Sequence, residues 1–290
     1  MQYLIYILVY PVLWIVSKLP FNLLYLTSNI VYFFVYYIFS YRKNTVRNNI
    51  ALTLPHLSYK DRIKIEKKFY LHMCDMFLEM IKTMSISKEE IQNRFSFTNL
   101  DEFKKYTDNN KSIIILYAHY ASWEWSISFS TFSEYKSIGI YKRIRNKYFD
   151  NLIKKIRSRF NAYLVDTKNT IDLIRDNELK KIKAVYGFIS DQSPKISKAT
   201  YWENFMGFNV PVFTGAEMMA RKFDMNVVYM KIEKIKRGFY IATFIPITNN
   251  INNLPENAVT KSFIKEVEKQ IVAEPAYYFW THKRWKHIKN

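Results

Sequence analysis

The first forty residues are the most apolar part of the chain. Between Gln2 and Tyr41 the only charged side chain is Lys18, which separates the apolar runs 3–16 and 23–39. A helix needs about 20 apolar residues to cross a bilayer, so the second run is nearly long enough and the first is short. The pattern predicts a membrane-embedded helical hairpin, or one span with an interfacial helix. A pair of buried core helices is the alternative.

Basic residues follow this apolar region at once. Arg42, Lys43 and Arg47 come directly after it, and basic residues beside an apolar segment favour the cytoplasmic side. The segment lacks the basic start and small-residue cleavage site of a secretory signal. We therefore expect residues 1–41 to form a membrane anchor. Residues 42–290 would form the second domain, on the cytoplasmic side of the membrane.

The rest of the chain alternates between two hydrophobic patterns. The helical spacing of Phe69, Met73 and Met76 predicts a core-facing helical region at 49–84, with a helix start at Ser58. Further on, β-prone runs alternate with helical segments, which predicts an α/β fold with a mainly parallel central sheet flanked by helices. The predicted strands are 112–118, 136–141, 183–190, 226–232 and 238–246, and the predicted helices are 123–132, 147–160, 170–179, 212–223 and 257–272.

Composition narrows the class of function. The 290 residues carry a formal net charge of +19, and 18% of them are aromatic. Such a charge predicts an anionic partner, which is an anionic membrane surface, an acidic carrier protein or nucleic acid. The cations are spread along the whole chain and no nucleic-acid-binding motif occurs, so we expect no nucleic acid. The only cysteine, Cys74, excludes intramolecular disulfides and cysteine-based zinc sites.

One histidine lies where α/β proteins place their chemistry. His119 directly follows the predicted buried strand 112–118, and Glu124 follows five residues later. Ligands bind at the carboxyl ends of parallel strands. If Glu124 lies in the first turn of the next helix, it can hold the imidazole, and His119 can take a proton from a hydroxyl or amine. His56 and Asp61 have the same spacing but follow no strand. A metal is not expected, because this pair has no evident third ligand.

Several segments in order resemble one enzyme family. The strand followed by His119 and Glu124 resembles the lysophospholipid acyltransferase superfamily, and within it the lipid A late acyltransferases (lauroyl and myristoyl transferases) of Gram-negative bacteria. The phrase His-Tyr-Ala-Ser-Trp-Glu-Trp at 119–125 is similar to the Bacteroidetes-type branch. The other matching segments are 141–146, 156–159, 190–194, 205–207, 210–215 and 274–286. The Phe-Pro-Glu-Gly-Thr-Arg block of the wider superfamily is absent, which argues against a glycerol-phosphate acyltransferase.

The resemblance implies a reaction and a set of residues. His119 and Glu124 would be a catalytic dyad that activates the acceptor for direct attack on an acyl thioester, without an acyl-enzyme and without a cofactor. The substrate-binding residues would be Arg157, Asp191, Gln192, Lys142 and Arg143. The donor would be acyl-carrier protein or acyl-CoA, and the acceptor a lipid such as a lipid A precursor. An aminoacyl lipid, another lysolipid, or a catalytically silent lipid-binding protein are the alternatives.

Overall fold

A seven-stranded sheet crosses the centre of the computed structural model, which describes residues 2–289. The strands are β1 (Phe95–Phe97), β2 (Ile113–Tyr117), β3 (Lys136–Tyr141), β4 (Tyr163–Asp166), β5 (Ala184–Ile189), β6 (Trp202–Phe205), β7 (Phe208–Pro211), β8 (Asn226–Lys236) and β9 (Phe239–Thr248). The large sheet has the order β1-β9-β8-β2-β5-β3-β4, and only its β8–β9 pair is antiparallel. Strands β6 and β7 form a separate hairpin. The predicted α/β class with a mainly parallel sheet is therefore confirmed.

Helices flank this sheet and form the amino-terminal region. They are α1 (Gln2–Lys18), α2 (Phe21–Phe33), α3 (Lys43–Thr53), α4 (Tyr59–Lys82), α5 (Lys88–Arg94), α6 (Leu100–Lys104), α7 (Lys147–Arg157), α8 (Thr170–Leu179), α9 (Gly215–Phe223) and α10 (Ala258–Ala273). Helix α2 continues as a π-helical turn, Phe34–Ile38. The predicted start of α4 is confirmed, because the Ser58 hydroxyl accepts a hydrogen bond from the Asp61 amide at 3.2 Å.

The central strand explains why its sequence is apolar without alternation. Strand β2 lies between β5 and β8, and Ile113, Ile114, Ile115 and Leu116 are all buried. A parallel strand covered on both faces has no solvent side, so every position is apolar. All five predicted strands are present. The short strands β1, β4, β6 and β7 were not predicted, because each offers too few residues to show a period.

The segment after β2 is helical as predicted but winds more tightly. Residues Trp123–Thr131 form a 3₁₀ helix rather than an α-helix. The hydroxyls of Ser128, Ser130 and Thr131 each bond the carbonyl three residues earlier, at 2.7–2.8 Å. Side-chain bonds of this kind compete with the α-helical pattern. Glu124 lies in the first turn of this 3₁₀ helix.

The amino-terminal helices present apolar side chains outward while one face packs inward. The helical stretch Phe21–Ile38 has 18 residues, a mean hydropathy of 1.3 and 17% of its residues buried, so it is long and apolar enough to cross a membrane. Its buried residues Leu24, Ser28 and Tyr36 face the protein, and Ser28 and Tyr36 bond residues of α4. The exposed apolar face agrees with the predicted anchor. The boundary between residues 41 and 42 stays a prediction.

Candidate active site

The sheet register brings His119 and Asp191 together. Strands β2 and β5 are parallel neighbours, with Tyr117 opposite Ile189. His119 and Asp191 each lie two residues past that pair, at the carboxyl edge of the sheet. His119 Nδ1 is 2.7 Å from Asp191 Oδ1, and the His119 amide donates to the same oxygen at 3.2 Å. Two distant segments of the sequence thus build one hydrogen-bonded pair.

The surroundings favour a charged Asp191. The carboxylate is buried, which by itself raises its pKa, but the charge of His119 and the hydrogen bonds from His119 outweigh this effect. The pKa of Asp191 therefore lies below its ordinary value. A carboxylate that accepts from Nδ1 fixes the imidazole so that Nε2 carries the free lone pair. The Gln192 side-chain nitrogen lies 3.4 Å from Nε2, and the His119 side chain as a whole is 21% exposed.

Glu124 has a different partner from the one predicted. It lies in the first turn of the 3₁₀ helix, as expected, but its carboxylate forms a bidentate ion pair with Arg157 of α7, at 2.9 and 2.5 Å. The prediction that Glu124 holds the imidazole of His119 is wrong, because Asp191 occupies Nδ1 instead. Burial lowers the pKa of Arg157, but the contact with Glu124 raises it more, so the guanidinium is charged.

The remaining predicted residues fall into separate places. Gln192 belongs to the His119–Asp191 group, whereas Lys142 and Arg143 lie exposed in the turn between β3 and α7. The Asp150 carboxylate shapes this turn by accepting from the Ile144 amide at 2.8 Å. Lys142 and Arg143 thus lie beside the amino-terminal end of α7, whereas Arg157 is the last residue of that helix. Within residues 2–289 neither Lys142 nor Arg143 forms a hydrogen bond or ion pair with His119.

The loop between His119 and Glu124 has a strained backbone held by the carboxyl-terminal segment. Ala121 is fully buried and has a φ of 50°, a region that few residues other than glycine adopt. Its amide donates to the Tyr277 carbonyl at 2.9 Å, and the Phe279 amide donates to the His119 carbonyl at 3.1 Å. The Phe279 ring lies against the rings of both His119 and Trp123. The loop conformation is therefore fixed by its neighbours.

The same carboxyl-terminal segment holds the loop that follows Asp191. The Ser193 hydroxyl donates to the Arg284 carbonyl at 2.7 Å, and Arg284 donates from Nη1 to the Pro211 carbonyl at 3.0 Å. Arg284 is fully buried. The segment 274–286, noted for its sequence resemblance, thus supports both loops of the site from behind.

An apolar cavity extends from the Glu124–Arg157 pair into the sheet. The outer part has a volume of about 60 Å³, and the Trp123 ring, 5.2 Å from that of His119, forms one of its walls. An inner part, also about 60 Å³, continues to Met230 of β8. The two parts share the wall residues Tyr117, Ser126, Ile127, Gly139 and Leu164.

Two glycines make room for this cavity. Gly139 on β3 and Gly187 on β5 are opposite each other in the sheet register. A Cβ at Gly139 would lie 3.1 Å from Leu164 Cδ2, and one at Gly187 would lie 3.3 Å from the Tyr117 hydroxyl. Neither glycine was predicted to matter. The available signal was that three of the five glycines fall in predicted strands and that two of these, Gly139 and Gly187, lie in strand interiors, where glycine often marks a close approach.

Within residues 2–289, no group of three or more His, Cys, Asp or Glu side chains is arranged to hold a metal ion. The side chains gathered at the sheet edge are instead a histidine with a buried carboxylate, an ion pair and an apolar cavity. This arrangement is suited to moving a proton beside an apolar substrate.

Comparison with known proteins agrees with this chemistry. The family model described as bacterial lipid A biosynthesis acyltransferase matches residues 1–287. The chain is 21% identical over 277 residues to the lipid A biosynthesis palmitoleoyltransferase of Escherichia coli (strain K12), and 23% identical over 279 residues to the lipid A biosynthesis lauroyltransferase of the same organism. Each alignment covers 95% of this chain and 89% of the relative. The chain therefore belongs to the bacterial lipid A biosynthesis acyltransferase family and is a transferase.

Proposed function

We propose that this protein transfers a fatty acyl chain from an acyl thioester to a lipid A precursor, with His119 as the general base. The observation that carries the proposal is the 2.7 Å contact between His119 Nδ1 and the buried carboxylate of Asp191. With Nδ1 held by Asp191, Nε2 is the nitrogen left to act as the base. The family membership supplies the reaction class.

The proposed reaction moves one proton and one acyl group. Nε2 of His119 takes the proton of the acceptor hydroxyl while the hydroxyl oxygen attacks the thioester carbonyl carbon. The carbon–sulfur bond then breaks, and the leaving thiolate takes the proton back from the imidazolium. Asp191 stabilises the imidazolium that exists between these two proton transfers. The residue Cys74 is buried in α4 and has no part in the reaction.

Glu124 enters this proposal through Arg157. Their bidentate pair fixes the guanidinium at the mouth of the apolar cavity, where Arg157 can bind a phosphate or the thioester carbonyl oxygen. Glu124 would thus act by holding Arg157 rather than by holding His119. The Trp123 ring contacts the His119 ring and lines the same cavity as Arg157. In this proposal the acceptor oxygen and the thioester meet beside that ring, between His119 and Arg157.

The cavity is the proposed site for the acyl chain of the donor. Its walls are mainly apolar side chains, it opens beside Glu124 and Arg157, and it ends at Ile115 and Met230 inside the sheet. An apolar chain that leaves water for such a cavity gains roughly 0.8 kcal/mol per CH₂. The carbonyl end of the chain would remain near the mouth, where His119 and the acceptor are.

The cationic turn after β3 suggests which carrier delivers the donor. Lys142, Arg143 and Arg145 are exposed, and Lys147 opens α7. Such a turn suits an acidic partner, so we propose an acyl-carrier protein rather than acyl-CoA. Donor assays with the same acyl chain on each carrier would separate the two. A faster reaction from acyl-CoA would refute the carrier-protein assignment.

The amino-terminal helices would hold the enzyme at its lipid substrate. Their outward side chains include Leu4, Leu8, Trp14, Leu26 and Ile30, each 49–75% exposed. Apolar surface of this extent favours a bilayer. We therefore propose attachment to the cytoplasmic face of the cell inner membrane.

The decisive test of the function is the lipid product. We expect mass spectrometry of a deletion strain to show a lipid A species that lacks one acyl chain, restored by the intact gene. An unchanged lipid A, with the missing chain instead on an aminoacyl lipid or another lysolipid, would contradict the proposed acceptor. A strain in which no lipid loses an acyl chain would contradict acyl transfer.

A further inference from the structure

A second cluster of buried acidic residues lies behind residues 119–124, which we call the catalytic loop. Its members have no role in the proposed reaction. Helix α4 carries Asp75 and Glu79 one turn apart on its inner face, and the two side chains are no more than 1% exposed. The residues at this spacing lie on one face of a helix. Two buried carboxylates on an amino-terminal helix need partners, because an unpaired buried charge is strongly unfavourable.

Glu79 takes its partners from three different parts of the fold. Its carboxylate accepts from the hydroxyls of Tyr25 on α2 at 3.0 Å, Tyr240 on β9 at 2.9 Å and Ser122 at 3.2 Å. In addition, the Glu79 backbone carbonyl accepts from the Trp125 indole nitrogen at 3.1 Å. Ser122 and Trp125 lie on the two sides of Glu124, and Ser122 is three residues from His119. The Glu79 carboxylate therefore contacts both the anchor helix α2, through Tyr25, and the catalytic loop, through Ser122.

Asp75 strengthens the attachment of α2 at the same place. It accepts from the Ser28 hydroxyl at 2.7 Å and forms an ion pair with Arg237 at 2.6 Å. Arg237 in turn donates to the Tyr25 carbonyl at 3.2 Å. The turn of α2 that carries Tyr25 is thus bound on two sides. Its position cannot change without breaking buried charged hydrogen bonds.

From these contacts we propose that Glu79 is a positioning residue that couples the amino-terminal anchor helix to the loop bearing His119 and Glu124. The inference rests on the proposed function for its kinetic assay. Docking of α2 through Tyr25 orients the Glu79 carboxylate, and that carboxylate sets the position of Ser122 and with it the strained loop. A displacement of about 1 Å in a catalytic group can lower the rate about 100-fold. A small change in the position of Tyr25 would therefore lower the rate of the reaction at His119.

The chain supplies a matched control for this coupling. Tyr36, in the π-helical turn that continues α2, donates to Glu66 of α4 at 2.8 Å, and Glu66 is as buried as Glu79. Glu66 has Arg47 as its ion partner and makes no hydrogen bond to the catalytic loop. Tyr25→Phe and Tyr36→Phe therefore each remove one hydroxyl bond between the anchor and a buried glutamate. Only Tyr25→Phe removes a hydrogen bond in the series of contacts that leads to the loop bearing His119.

The test compares these variants in the full-length protein. We expect Tyr25→Phe and Ser122→Ala each to lower kcat about tenfold with KM nearly unchanged, whereas Tyr36→Phe keeps the wild-type kcat. Tyr25 contacts Oε1 of Glu79, and Ser122 contacts Oε2. If both act through Glu79, the double variant loses less than the product of the single losses. Wild-type kcat in Tyr25→Phe, or an equal loss in Tyr36→Phe, would overturn the proposal.

Hydrogen exchange separates this proposal from the proposed function. The His119 and Ala121 amides are bonded in the folded loop, so peptides spanning 118–125 should exchange slowly. We expect Tyr25→Phe to speed exchange in these peptides and Tyr36→Phe to leave it unchanged, whatever reaction the enzyme performs. Unchanged exchange in Tyr25→Phe would refute the coupling even if the acyl transfer is confirmed.

Discussion

Replacing Asp191 by asparagine tests the pair on which the proposed reaction depends. Asparagine keeps the size of the side chain and can still accept from His119 Nδ1, but it cannot balance the charge of an imidazolium. The contact is 2.7 Å long and Asp191 is buried, so solvent cannot replace the lost charge. A hydrogen bond between charged groups contributes about 1.5–3 kcal/mol. Because about 1.4 kcal/mol corresponds to a factor of ten, we expect kcat to fall about 10- to 150-fold.

The assay is acyl transfer by the purified variant at saturating donor, followed over a range of pH. The folded pKa of Asp191 lies below its ordinary value of 3.8, so the carboxylate contributes stability that is present above that pH and lost as the pH falls through the folded value. We therefore also expect a lower Tm for Asp191→Asn at neutral pH.

Glu217→Gln is the control for the loss of a buried carboxylate. Glu217 on α9 is 3% exposed, and its carboxylate is bonded to Arg221 and to Thr260 of α10 rather than to a residue of the His119 site. We expect this variant to lose stability and to keep its kcat. A folded Asp191→Asn enzyme with wild-type kcat would refute the role of Asp191, and so would an equal loss in Glu217→Gln.

Three further predictions follow from the site and the anchor. Arg157→Ala and Glu124→Gln should each cut turnover about tenfold or more, with the double variant little worse, because the ion pair acts as a unit; additive losses would contradict this. Gly187→Ala should shift donor preference toward shorter acyl chains in competition assays, while Gly215→Ala, whose Cβ would meet no atom within 4 Å, should leave the preference unchanged. The full-length protein should sediment with membranes after a high-salt wash, since apolar side chains hold it; full release by salt would contradict the anchor.

The sequence predicted the sheet and the position of His119 because both depend on local patterns. A continuous apolar run followed by His119 is enough to place that residue at a strand end. Glu124 was correctly placed in the next helical turn. Its partner was not predictable, since the tight winding of residues 123–131 and the position of Arg157 on α7 are set by tertiary packing.

The partner of His119 lay beyond local reasoning for a related reason. Asp191 is 72 residues away along the chain, and the two become neighbours only because β2 and β5 are adjacent in the sheet. Strand order carries no signal in hydrophobic periodicity. The same holds for the Gly139–Gly187 pairing and for the contacts of Glu79. The helical stripe on α4 predicted its apolar contacts, but it did not show that acidic residues share the buried face.

The most direct measurement of the central claim is the rate of acyl transfer to a lipid A precursor by His119→Ala beside His56→Ala. His56 stands five residues before Asp61, the same spacing as the His119–Glu124 pair, but it lies in the turn before α4. General-base catalysis contributes about 10²–10⁴-fold. We expect His119→Ala to lose activity by about that factor while it stays folded by circular dichroism, and His56→Ala to remain fully active. A folded, active His119→Ala enzyme, or an equal loss in His56→Ala, would contradict the account.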